Sequence, residues 1–303
     1  MLFKNNYFYA QLQKNMALKL TLYTFFHNLL SGTGIGRTKL TRLIIEKMKS
    51  RLIPEYVNWN NFRIYLDATD HFNLTVKPYT IPKIYDNVIK SGDIVVDVGA
   101  NMGIHTLYFS RLVGPNGKVY SFEPDPTNFS ILKKNIEVNN YNNVILSQKA
   151  ISDKTEPTKL FLCKFSNGMH RTYDSNLCDK SLDIESVTLD DFLNQINFSG
   201  KIDFIKIDTE GSEIKVLKGI EKIIEMNDDI SLQIEFNPSS INECGFKSRS
   251  LPDFLIKKGF QMLSFSHKIG KFKIISLTEL LDRYPDKKST FVNLFCKKNS
   301  NFN

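Results

Sequence analysis

The 303 residues, 42% of them apolar, are enough for one sizeable core, and a single catalytic domain of about 220 to 240 residues is expected. Cys163, Cys178, Cys244 and Cys296 lie far apart, with no C-x-x-C pair and no histidine at zinc-ligand spacing; this argues against a disulfide framework or zinc finger and fits a reducing cytoplasm. Of the formal charge of +8, residues 1–60 carry +7, from nine Lys or Arg against two acids. An anionic partner is therefore met by this arm rather than by the near-neutral remainder.

Residues 16–30 are apolar and helical in pattern, but Lys19 and His27 interrupt them. They fall short of the roughly 20 residues a membrane span needs, and they lack the cleavage site of a signal peptide. Ser31-Gly32-Thr33-Gly34-Ile35-Gly36 follows. No strand precedes it, so it reads as an interhelical turn and not as a nucleotide loop. A second helix is expected over 37–52, with Leu40, Ile44 and Met48 on one face and Pro54 as its stop. Residues 1–60 thus read as a basic helical arm, and 61–303 as the catalytic domain.

From residue 62 strands and helices alternate. Strands are expected at 62–66, 94–98, 118–122, 144–147, 204–207, 230–235, 261–266 and 291–297. Helices are expected at 84–90, 104–113, 126–139, 212–225 and 252–258. Such alternation implies a parallel sheet with right-handed crossovers, a Rossmann-like, doubly wound α/β fold. Residues 154–200 break the rhythm and read as an insertion between the third and fourth strands, a hairpin plus a short helix at 188–196.

Chemistry concentrates at the carboxyl ends of these strands. Val95-Val96-Asp97-Val98-Gly99-Ala100-Asn101-Met102-Gly103, with Ile104-His105-Thr106 after it, is a buried strand, a glycine turn and a helix start. Glycine permits positive φ and close backbone approach, and Asn101 is the non-glycine type that best tolerates left-handed geometry. Free helix amides can hold the carboxylate of an amino-acid cofactor, while Asp97 can receive its ammonium. The next strand ends in Phe122-Glu123-Pro124, where an acid takes ribose hydroxyls. The segment Ile205-Lys206-Ile207-Asp208-Thr209-Glu210-Gly211-Ser212-Glu213 places Asp208 and Glu210 beside the switch point of the sheet. Lys206 is expected to pair with a neighbouring acid, His105 to pack or cap, and Glu213 either to cap its helix or to act in the site.

With Gln233-Ile234-Glu235-Phe236, these motifs resemble the FkbM-type methyltransferases, a branch of the class I S-adenosylmethionine-dependent enzymes, over residues from about 62 to 297. The resemblance implies a seven-stranded sheet whose last strand is antiparallel. It implies S-adenosylmethionine as cofactor and O-methylation of a hydroxyl, often on a sugar or glycosylated metabolite. Asp97, Gly99, Asn101, Gly103, Thr106, Glu123 and Asp208 are then the cofactor-binding candidates. In the insertion, Asn167-Gly168 is a turn signal. His170, Arg171 and Tyr173 follow it, in a segment expected to cover the cofactor end of the sheet or to form a solvated hairpin.

Candidates for the base that removes the hydroxyl proton are Asp208, His170 and Glu235, in that order. Arg171, Tyr173 and Glu210 are candidates for meeting a small-molecule or glycan acceptor. Asp208, Glu210 and Glu235 can instead gather a divalent cation through oxygen, but no strictly spaced ligand set supports one and no metal is assigned. The rival readings are an NAD-dependent oxidoreductase, which the glycine pattern fits poorly, and a nucleic-acid-binding module using the arm, for which the core lacks a basic stripe with interleaved aromatics. The arm combines charge with apolar helical stretches, the two features of peripheral membrane contact.

Overall fold

The computed structural model describes residues 53–67, 79–163, 166–266, 271–286 and 290–298, with Leu18, Lys19, Thr21, Leu22, Phe25 and Leu74. Apart from the helical positions within 18–25, the two arm helices and the glycine turn expected between them lie outside the described residues. The chain divides into two compact units, Met1–Ile81 and Pro82–Asn303. Among the described residues no helix is long and apolar enough to cross a membrane.

In the first unit β1 (Tyr56–Trp59) pairs antiparallel with β2 (Phe62–Tyr65). Asn60 and Asn61, at φ 49° and 67°, make the turn between them, the double left-handed geometry of a two-residue hairpin that Asn tolerates. Only the second strand is expected from the sequence, and the hairpin spans the boundary expected at residue 60. The Trp59 indole donates to the Tyr79 carbonyl at 2.9 Å.

The second unit is built on β3 (Ile94–Val98), β4 (Lys118–Phe122), β5 (Val144–Ser147), β9 (Phe204–Ile207), β10 (Ser231–Phe236), β11 (Phe260–Ser266), β12 (Lys271–Ile274) and β13 (Val292–Lys298). They form one eight-stranded sheet in the order β12-β11-β13-β10-β9-β3-β4-β5. The five strands β5, β4, β3, β9 and β10 pair parallel, and β13 inserts antiparallel between β10 and β11. The doubly wound fold is as expected, with one more strand than seven. The addition is β12, a hairpin partner of β11. Lys271, Lys273 and Ile274 are exposed on it, while Phe272 packs against Phe265 and Phe295.

The helices that wind this sheet include α1 (Ile84–Val88), α2 (Ile104–Val113) and α3 (Pro126–Val138). Asp125 caps α3 by accepting the Asn128 amide at 2.8 Å, with Pro126 at the first helical position, where proline's fixed φ suits a helix start. The helix expected at 212–225 is two helices, α5 (Glu213–Gly219) and α6 (Glu221–Met226), after α4 (Leu189–Gln195) of the insertion. A Cβ on Gly219 would lie 1.9 Å from the Ser152 carbonyl oxygen, so glycine at the break lets that backbone approach. The remaining helices are α7 (Pro238–Glu243), α8 (Ser250–Lys257) and α9 (Leu277–Arg283).

Tyr85, Phe109, Phe204 and Phe295 form an aromatic cluster, Tyr85 and Phe109 meeting edge-to-face at 4.9 Å. Such pairs add about 0.5–1.5 kcal/mol beyond area burial. The buried Tyr85 hydroxyl is satisfied by the Gln233 side chain. His105 packs against Tyr85 and Phe109, as expected. Burial and the nearby Lys206 charge push its pKa well below the ordinary value. The insertion's β7 (Pro157–Cys163) and β8 (Cys178–Val187) form a second sheet with β6 (Ala150–Ile151), in the order β6-β8-β7. Its hairpin and helix match the expectation.

Candidate active site

The carboxyl ends of β3, β4, β9 and β10 share one edge of the sheet, and the segments leaving them build the site. After β3 the chain turns through Gly99, Asn101 and Gly103, at φ 77°, 51° and 90°; Asn101 is left-handed as expected. The glycines serve protein packing. A Cβ on Gly99 would stand 1.9 Å from the Asp208 carbonyl oxygen, and one on Gly103 would stand 2.5 Å from Leu132 Cδ1. No side chain caps α2, which starts at this turn. Amides at such a helix start can meet water or a ligand.

Glu123 leaves the end of β4 and stitches this turn to its own. Its carboxylate accepts the Asn101 amide at 2.8 Å and the Asp125 amide at 3.0 Å. Burial dominates its electrostatics and pushes the carboxyl up to about 7, against the partial relief of those two amides and of the Asn128 side chain. A carboxylate can accept about four hydrogen bonds, so capacity remains for ligand hydroxyls.

Asp97 and Thr106, both expected to touch a cofactor, are fully buried. Thr106 donates to Asp97 Oδ2 at 2.7 Å, and Ser121 bonds Thr106 at 3.1 Å. Lys206 Nζ lies 3.5 Å from Asp97 Oδ1 and 3.2 Å from Asp208 Oδ2. Asp97 thus braces the site from beneath and is not open to a cofactor ammonium. The expected pairing of Lys206 with an acid is observed, with two acids at once. Asp208 keeps about a third of its side chain exposed.

One carboxylate oxygen from each of Asp208, Glu210 and Glu235 lies within 4.8 Å of the others. Glu235 is buried, and its Oε2 has no hydrogen-bond partner. Burial, then repulsion from Asp208, Glu210 and Glu213, raises its pKa well above the ordinary range. Burial and the neighbouring Asp208 and Glu213 bring Glu210 to about 8. Glu213 acts as a loop clamp: its Oε1 accepts from the Thr209 amide and hydroxyl and from the Gly211 amide, at 2.9, 3.0 and 3.2 Å.

The segment 166–175 is not a solvated hairpin. Arg171 is 2% exposed and reaches Glu243 at 3.1 Å and Glu210 at 3.8 Å, above the Tyr173 ring. The Tyr173 hydroxyl donates to the Glu210 carbonyl at 2.8 Å, and Thr172 and Ser212 bond at 2.7 Å. Arg171 and Tyr173 therefore shape the loop after β9, and both are too buried to greet an acceptor directly. His170 lies elsewhere: its Nδ1 accepts the Cys163 amide at 3.1 Å and its Nε2 stands 3.9 Å from Asp125. A neutral ring so bonded carries its proton on Nε2 and has no free lone pair, so His170 is not poised as a base. Its surroundings belong to the end of β4, while Asp208 and Glu235 belong to β9 and β10.

Sequence reasoning missed Glu243, Thr172 and Ser212. Asn-Gly at 167–168 signals a turn, but no local pattern tells that the next residues dock on the loop after β9. The Cys163 and Cys178 sulfurs, 15 positions apart in sequence, are 2.6 Å apart across the β7–β8 pair. The register of that hairpin sets them opposite each other.

Residues 97–262 match the family described as Methyltransferase FkbM domain. Methyltransferase 1 of Beauveria bassiana is 27% identical over 164 residues, covering 48% of this chain and 66% of the relative. The 31-O-demethyl-FK506 methyltransferase FkbM of Streptomyces tacrolimicus is 30% identical over 162 residues, with 44% and 61% covered. Hexuronic acid methyltransferase AglP of Haloferax volcanii is 26% identical over 150 residues, with 47% and 56% covered. The chain thus spans between 56% and 66% of the length of these three relatives. Among solved structures, methyltransferase FkbM from Methylobacillus flagellatus KT aligns at a TM-score of 0.42 and 16% identity, covering 72% of this chain and 50% of that one.

Proposed function

The chain belongs to the FkbM methyltransferase family, and from that premise we propose that it transfers the methyl group of S-adenosylmethionine to a hydroxyl of a sugar, glycan or glycosylated metabolite. The observation that carries the reading is the row of acids at the carboxyl ends of β4, β9 and β10, beside the uncapped start of α2. The donor set fits the cofactor: α2 amides for its carboxylate, Asp208 for its ammonium, and Glu123 for the two adjacent ribose hydroxyls. Two relatives bear names that mention O-demethyl-FK506 and hexuronic acid, which supports an oxygen acceptor carried on a polyhydroxylated or glycosylated compound.

S-adenosylmethionine supplies, when bound, a methyl group activated by a sulfonium. The chain's own part is to hold the acceptor oxygen in line, an effect worth roughly 7–11 kcal/mol in favourable cases. It must also receive a proton. Asp208 is the candidate, since it is part-exposed and held next to the Lys206 ammonium. Glu235 and Glu210, both raised by burial and mutual repulsion, stand beside it.

Calorimetry with S-adenosylhomocysteine tests the cofactor half; no heat of binding sinks it. Transfer of a labelled methyl group to host glycans and glycosylated metabolites tests the acceptor half. A methyl ether keeps its label through mild alkali, and a methyl ester releases it as methanol. Release would move the acceptor from hydroxyl to carboxylate.

We also propose that residues 1–60 carry the enzyme to an anionic membrane surface where such acceptors are assembled. The +7 of this segment supports it, since basic residues near anionic lipid contribute roughly 1 kcal/mol each. Flotation of full-length protein with anionic and neutral liposomes checks it. Equal recovery with both would remove the charge argument.

A further inference from the structure

We propose that Asp208, Glu210 and Glu235 bind a hard divalent cation, with coordination positions left open toward solvent for two neighbouring oxygens of the acceptor. Only the acceptor clause rests on the methyl-transfer reading above.

The three carboxylates come from the ends of two adjacent strands, and their oxygens gather within 4.8 Å. Oxygens on opposite sides of a cation, each at about 2.4 Å, stand roughly 4.8 Å apart. The set contains no sulfur or imidazole, which selects magnesium, manganese or calcium over zinc or copper.

The second observation is independent of the spacing. Glu235 Oε2 is buried and makes no hydrogen bond, on a residue 8% exposed. An acceptor atom left dry in this way is costly unless something positive meets it. The charge around it is also unbalanced. Asp208, Glu210, Glu213 and Glu235 repel one another, while Lys206 lies between Asp97 and Asp208, and Arg171 is shared between Glu210 and Glu243. A cation at the cluster supplies the missing positive charge.

The openness follows from exposure. Glu235 closes the cluster from the sheet side, while the Asp208 and Glu210 side chains are 34% and 23% exposed. Three protein ligands leave about three of six positions for water or acceptor. An acceptor presenting two adjacent oxygens, such as a vicinal diol or a hydroxy acid, can fill two of them. The cation then lowers the pKa of the bound hydroxyl and orients it.

The test titrates manganese chloride into the full-length protein, following loss of the free-ion paramagnetic resonance signal. One manganese per chain is expected. Glu235→Gln should weaken binding at least tenfold, and Asp183→Asn, on the exposed β7–β8 hairpin, should leave it unchanged. If Glu235→Gln does not fold, as judged by circular dichroism, Asp208→Asn carries the same expectation. Failure to deplete manganese at about 1 mM, or equal binding by wild type and the folded cluster variant, overturns the site. Calorimetry with S-adenosylhomocysteine on the same samples separates the two readings. Cofactor binding without manganese binding overturns only the cation site, and manganese binding without cofactor binding overturns only the methyltransferase.

Discussion

The Tyr173 hydroxyl donates a 2.8 Å hydrogen bond to the Glu210 carbonyl, across 37 residues of chain. Glu210 stands at φ 55°, a left-handed posture that costs a non-glycine residue roughly 1–2 kcal/mol. The insertion thus offsets the strain of a loop that carries two site carboxylates. Tyr173→Phe should lower stability by about 1 kcal/mol and reduce turnover while leaving S-adenosylhomocysteine affinity near normal. Urea unfolding together with calorimetry checks this. Unchanged stability would mean the bond does not hold the loop.

Lys206 answers two acids from inside the sheet, Asp97 at 3.5 Å and Asp208 at 3.2 Å. Removing one partner of a buried charge pair costs roughly 3–5 kcal/mol because the other charge is left stranded. Lys206→Met should lose about that much stability by denaturant titration. Adding Asp97→Asn to it should restore part of the loss. If the double variant is no better than the single one, the Lys206–Asp97 contact contributes nothing.

Glu123 titrates at about 7 when buried, above its ordinary 4.5. The folded state therefore binds the proton more tightly than the unfolded chain does. The resulting stability is fully present below about pH 4.5 and is lost as pH rises through about 7, on the order of 3 kcal/mol in total. Glu123→Gln should remove this slope. Ribose hydroxyls favour the ionised carboxylate, so S-adenosylhomocysteine affinity should rise with pH up to about 7 and then level. Affinity that is flat from pH 5.5 to 8 would separate Glu123 from the ribose.

His170 and Asp208 should part company under mutation. His170→Asn keeps an acceptor near the Cys163 amide and should retain most turnover. Asp208→Asn should lower turnover about 10²-fold or more, in keeping with loss of a general base. A steep loss in His170→Asn at normal cofactor affinity would return the proton to the imidazole.

Much of the scaffold was legible because its signals are local. Ile94–Val98 is a short apolar run buried on nearly every residue, and a strand covered on both faces must read that way. Asp125-Pro126 announces the start of α3, since capping and proline geometry act within a turn. Asn101 was legible for the same reason: backbone sterics at one residue select its type. The break at Gly219 was not, because glycine is tolerated inside a helical pattern and only the approach of Ser152 requires it there.

What each side chain faces was decided by the tertiary structure. Asp97 and Asp208 look alike in sequence, each an acid at the end of an apolar strand. One is sealed beneath the turn by Thr106 and Lys206, while the other keeps a third of its surface. Arg171, beside a turn signal, resembles a solvent-facing contact residue, yet it is clamped to Glu243 from 72 positions away. Glu235 is one residue of a buried strand until parallel pairing of β9 with β10 sets it beside Asp208. The sequence alone determined where strands end and acids fall, because periodicity and turn chemistry act over a few residues. Burial and the meeting of like charges depend on partners brought from far along the chain, and only the folded sheet supplies those.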